Sequence, residues 1–137
     1  MTSFRAFPSL SALALGLALA APAFAADSPL MGANEVPPVE TAAAGMATIS
    51  IAKDGMVSGM VKTTGINATM AHIHMAPAGQ NGPVIVPLTK VKDDTWGVPS
   101  TAKLTPDQMA AFLAGNLYVN VHSEAHPGGE IRVQLKP

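Results

Sequence analysis

Cysteine is absent from the 137 residues. That absence rules out a disulfide framework, a thiolate zinc site and a cysteine nucleophile. Aromatic residues make up only 4% of the chain, with one Trp and one Tyr, so there is no platform on which bases or sugars would stack. Charged residues are 12% and the net charge is −1. Neither a basic face for nucleic acid nor one for an anionic membrane follows from that balance. No glycine-rich loop follows a strand and opens a helix, so phosphate binding lacks its usual cradle. No serine sits in a nucleophile elbow. Apart from one stretch near the N-terminus, no apolar run approaches the length of a membrane span.

That stretch reads as a secretory signal peptide. Arg5 supplies the positive start, residues 10–24 the apolar run, and Ala23-Phe24-Ala25 the small-residue cleavage site. Residues 1–25 are therefore expected to be removed, leaving residues 26–137 as one periplasmic or secreted domain. Without Arg5, seven basic residues face nine acidic ones, a charge of −2. A domain of this size can bury a core without staples.

The mature chain reads as short strands broken by glycine and proline. Ala47, Ile49 and Ile51 alternate with polar residues, and Asp54-Gly55 then marks a hairpin turn. Met56–Thr63, Thr69–Met75, Val84–Val86, Thr95–Val98, Leu117–His122 and Ile131–Leu135 complete the set. Many short strands with turn signals predict an all-β, Greek-key sandwich or barrel. The proline-rich residues 26–45 suit an edge strand followed by a loop, since proline cannot donate to a central ladder. One helix interrupts the strands near residues 105–115. Thr105-Pro106-Asp107-Gln108 is a capping box, Met109, Phe112 and Leu113 form an apolar stripe, and Gly115 closes the end.

What the chain does have is four histidines in two groups, His72-Ile-His74 and His122-Ser-Glu-Ala-His126. A strand puts residues i and i+2 on one face, about 7 Å apart. Two imidazoles so placed can close on one metal ion with bonds of about 2 Å. Leu117, Val119 and Val121 should point inward, leaving Tyr118, Asn120 and His122 outward; likewise Glu130, Arg132 and Gln134 are outward. If these strands are neighbours, His72, His74 and His122 converge on an outer, solvent-reaching face, with Arg132 nearby and His126 on the adjoining loop. Imidazoles without thiolate favour copper, with zinc as the alternative. Met70 and Met75 flank the pair and offer soft thioethers, although methionine more often fills core space. Arg132 has a plain alternative too, a surface pair with Glu130 or Glu124.

Three groups of residues together resemble the chordin-type (CHRD) domain. They are Leu30-Met-Gly-Ala-Asn-Glu-Val-Pro-Pro-Val39, Ala71-His-Ile-His-Met-Ala-Pro77 with Asn81-Gly-Pro-Val-Ile-Val-Pro-Leu88, and Leu117-Tyr-Val-Asn-Val-His122 with Pro127-Gly-Gly-Glu-Ile-Arg132. That resemblance implies an all-β extracytoplasmic domain. A more distant likeness links Ala71–His74 and Val119–His122 to the copper-ligand strands of Cu/Zn superoxide dismutases. It implies a dismutase-like barrel with His72, His74 and His122 as copper ligands. Arg132, in Gly128-Gly-Glu-Ile-Arg132, would be the guide for superoxide. The dismutase's bridging histidine would fall near Gly82-Pro83-Val84, where there is none, so the implied site is copper-only, with His126 as a fourth ligand. The functional expectation is a periplasmic copper-binding protein with dismutase-like turnover as its enzymatic form. The alternative is a non-enzymatic module that binds a protein or matrix partner.

Overall fold

A computed structural model describes residues 25–137. The expected signal peptide lies almost wholly outside these residues. The strands are β1 (Asp27–Met31), β2 (Ala44–Ile51), β3 (Val57–Thr64), β4 (Ala68–Met75), β5 (Val84–Pro87), β6 (Thr89–Lys92), β7 (Thr95–Gly97), β8 (Leu117–Ser123) and β9 (Ile131–Gln134). They form one antiparallel sheet in the order β5-β4-β8-β9-β1-β2-β3-β7-β6. The sheet curls into a nearly closed barrel. Its two terminal strands, β5 and β6, follow one another in the chain with only Leu88 between them. The all-β expectation is met, and the helix α1 (Pro106–Leu113) is the only α-helix among the described residues.

One apolar cluster fills the barrel. Leu30, Ala47 and Val61 come from one half of the sheet; Ile73, Val119, Val121 and Ile131 come from the other. Each of these larger side chains is completely buried, and burying one contributes about 1.5–3 kcal/mol. The inward positions follow the two-residue alternation read from the sequence. Helix α1 begins with the expected capping box: Thr105 accepts from the Gln108 amide, and the Gln108 side chain accepts from the Thr105 amide. Gly115, with φ +77°, donates to the Phe112 carbonyl and ends it. Met109 and Phe112 rest against the core, but Leu113, expected in the same stripe, is 63% exposed. The helix lies on the barrel rather than in it.

Two strands depart from expectation. β1 is not an edge; it sits between β2 and β9. It pairs with β2 along its whole length but meets β9 only at Met31–Arg132. Pro29 is tolerated because β1 has parted from β9 there and a second ladder is not needed. β6 was missed because all four of its residues are exposed and show no apolar alternation.

Three neighbouring strands set the positions that matter below. In the ladder β4-β8-β9, His74 faces Tyr118 and Tyr118 faces Gln134. One step along, His72 faces Asn120 and Asn120 faces Arg132; a further step brings Met70 opposite His122.

Ile73 underlies this ladder with no exposure, whereas Thr105 only caps a surface helix. Ile73→Ala should cost about 2–5 kcal/mol and Thr105→Ala about 1 kcal/mol in urea unfolding. Equal costs would show that the helix start matters as much as the core.

Candidate metal centre

His72, His74 and His122 come together. One ring nitrogen from each lies within 4.8 Å of the other two. Parity along β4 puts His72 and His74 on one face, and the β4–β8 register brings His122 beside them. His126 is not in this group. Its amide donates to Ser123 Oγ, and its carbonyl accepts from the amides of Ser123 and Gly129, so its backbone shapes the turn before β9.

Main-chain carbonyls set the ring tautomers. His74 Nδ1 lies 2.9 Å from the Gly82 carbonyl, and His122 Nδ1 lies 2.9 Å from the Pro127 carbonyl. A carbonyl only accepts, so both Nδ1 atoms carry hydrogen and both Nε2 atoms present lone pairs. His74 Nε2 is buried and has no partner. His122 Nε2 is 3.0 Å from His72 Nδ1, which donates to it. Burial holds His74 below the ordinary imidazole value, against the opposing pull of the Gly82 carbonyl. Burial also lowers His72, and the nearby His122 and His74 act in the same direction. Neutral rings are the form that binds a metal. Donor nitrogens around a tetrahedral ion with bonds near 2.05 Å sit about 3.3 Å apart, so the 3.0 Å contact matches a ligand spacing once the His72 hydrogen moves from Nδ1 to Nε2 and frees Nδ1 to bind.

The outer face is not open as expected. His74, Tyr118, Asn120, His122, Glu130 and Arg132 are all buried, and only His72 of the triad is partly exposed. Alternation gave the correct side of the sheet, but the loop between β4 and β5 folds over that side. Gly82 makes the close approach possible: a Cβ there would fall 1.9 Å from the Met75 carbonyl oxygen. From this position its carbonyl reaches His74, and its amide donates to the Tyr118 hydroxyl.

Arg132 is 1% exposed and makes no pair with Glu130 or Glu124. Its guanidinium donates to Asn81 Oδ1, the Pro77 carbonyl and Gln134 Oε1, each at 3.3 Å. Its central carbon also lies 3.4 Å from the Tyr118 ring centre, a cation–π contact. Tyr118 in turn stacks on His74, with ring centres 4.8 Å apart and planes 6° apart.

Sequence reasoning missed Glu35. It follows a short 3-10 turn (Gly32–Asn34) and is 4% exposed. Burial pushes its carboxyl up to about 7, although Arg132 pulls it down. Its Oε1 and the Asn120 Oδ1 both lack partners. Gly129 leaves the space they occupy: a Cβ there would fall 2.5 Å from Asn120 Nδ2 and 2.6 Å from Glu35 Oε1. The available signal was a lone acid in the apolar Asn34-Glu-Val-Pro-Pro segment.

These features define a small β-barrel domain with a half-covered trihistidine cluster. The chain belongs to the CHRD domain family, whose model matches residues 26–135. No curated protein and no solved structure matches it. Among the described residues, no helix is long and apolar enough to cross a membrane.

Glu35 titrates near 7 when folded and near 4.5 when unfolded, so folding holds a proton between those values. Its contribution to stability is complete below pH 4.5 and is lost as pH rises through about 7. His72 and His74 have the opposite sense. Held below 6.5, they contribute above pH 6.5 and lose that contribution on acidification. Glu35→Gln removes only the first term. Urea titrations should show the wild-type advantage over the variant shrinking from pH 4.5 towards 7 and then levelling. A constant difference would mean that Glu35 ionises like an exposed acid.

Proposed function

We propose that this CHRD domain is an extracytoplasmic copper-binding protein whose ligands are His72, His74 and His122. The observation that carries the reading is the convergence of three imidazole nitrogens, two of whose rings are locked by carbonyls with Nε2 unprotonated. Carbonyl partners on the far nitrogen are the usual second shell of a histidine-ligated metal. An all-imidazole set without thiolate favours copper, and zinc is the alternative occupant. His126 stands outside the group and would join the set only if its side chain moved.

The enzymatic form of the proposal is dismutation of superoxide, for which copper would supply the one-electron chemistry. The partly exposed side of His72 supports it by leaving an approach from solvent. Arg132, the expected anion guide, is enclosed by Asn81, Pro77, Gln134 and Tyr118. Its work is to hold the loop over the site.

A second reading, an interaction module without turnover, draws on a different observation. Where β1 parts from β9 there is a cleft of about 790 Å³, with Ile49, Phe112 and Leu135 on its apolar walls and Asn34, Glu35 and Gln134 among its polar lining. Such a cleft suits a partner segment.

Loading the purified protein with Cu(II), followed by dialysis, should leave near one copper per chain. His72→Ala/His74→Ala should retain none, with circular dichroism confirming that the variant is folded. Wild type that retains no metal overturns the copper proposal and leaves the interaction module. Variants that lose metal but keep the cellular role would make the metal incidental.

A further inference from the structure

One potential donor beside the triad is left over by the histidine reading. Met70 lies on the same face of β4 as His72 and His74, and directly opposite His122 on β8. Directly opposed residues in an antiparallel pair have Cβ atoms about 4.5–5.5 Å apart. A thioether on a side chain with three rotatable bonds can cover that distance. Met70 is not filling the core: it is 46% exposed. Met75, the other flanking methionine, has the opposite parity and rests against the core. The loop that covers His74 leaves Met70 itself exposed, while His122 opposite it is buried.

From this placement we propose that Met70 is a fourth donor to the triad, and that its thioether makes the site a holder of reduced copper, Cu(I). The inference rests on the histidine reading and deepens it by naming the oxidation state. Imidazole alone accommodates zinc and Cu(II) well, whereas thioether sulfur is a soft donor that adds little for either and more for Cu(I). Met70 is thus the residue that sets metal selectivity, and the histidines set affinity.

The test compares the full chain with Met70→Leu and with Met60→Leu. Met60 is 44% exposed on β3, in the other half of the sheet, and serves as the exposure-matched control. Cu(I) affinity is measured anaerobically by competition with a chromogenic Cu(I) chelator, and zinc affinity in parallel. Met70→Leu should weaken Cu(I) by about tenfold or more while zinc changes little, and Met60→Leu should match wild type. X-ray absorption of the Cu(I)-loaded protein should show a copper–sulfur shell that disappears in Met70→Leu alone. Unchanged Cu(I) affinity in Met70→Leu, or equal weakening of Cu(I) and zinc, overturns this inference and leaves the triad standing. Wild type that binds neither ion overturns both.

Discussion

A buried guanidinium ties the covered side of the barrel together. Arg132 reaches from β9 to Pro77 and Asn81 in the β4–β5 loop, to Gln134 on its own strand and to the Tyr118 ring on β8. It also faces Glu35, the acid whose ionised form it favours. The loop it holds is the loop that presents the Gly82 carbonyl to His74. Orientation of the imidazole therefore depends on a cation that touches no ligand. A buried charge is costly, and three neutral acceptors and the Tyr118 ring offset that cost in place of a direct ion pair.

The polar interior is arranged in two zones. At one end, three imidazoles converge, and carbonyls fix Nε2 as the bare nitrogen of His74 and of His122. At the other, Glu35 and Asn120 sit with unpartnered oxygens over Gly129. Asn120 lies between His72 and Arg132 in the ladder and so belongs to both zones. Unpaired buried acceptors are few in folded proteins, and two of them are grouped here.

Much of this was legible in the sequence because it rests on local rules. The i, i+2 parity of His72 and His74 and the Thr105–Gln108 box each depend on residues close in the chain; so does the turn after β2, although it is built on Lys53-Asp54 with Gly55 (φ +88°) following, not on Asp54-Gly55 as a two-residue turn. The convergence of His122 with the pair needed only the correct strand neighbours. Burial of the outer face was not legible, because alternation identifies a side of a sheet and says nothing of what a distant loop lays over it. Glu35 and Gly82 escaped for the same reason: one acts 97 positions from Arg132, and the other matters through a backbone oxygen, which no side-chain pattern records. β1 defeated the proline rule because a strand can be central in order yet unpaired on one side.

The junction at Leu88 has a further consequence. Sheet ends normally expose rows of unpaired amides and carbonyls that invite another chain to add on. Here the two end strands are four residues each and consecutive, so their free rims lie at a single covalent corner. Pro87 interrupts one rim, and Lys90 and Lys92 place charge on the other. This gap in the hydrogen-bonded wall, unlike the one between β1 and β9, is thus guarded against the addition of another strand.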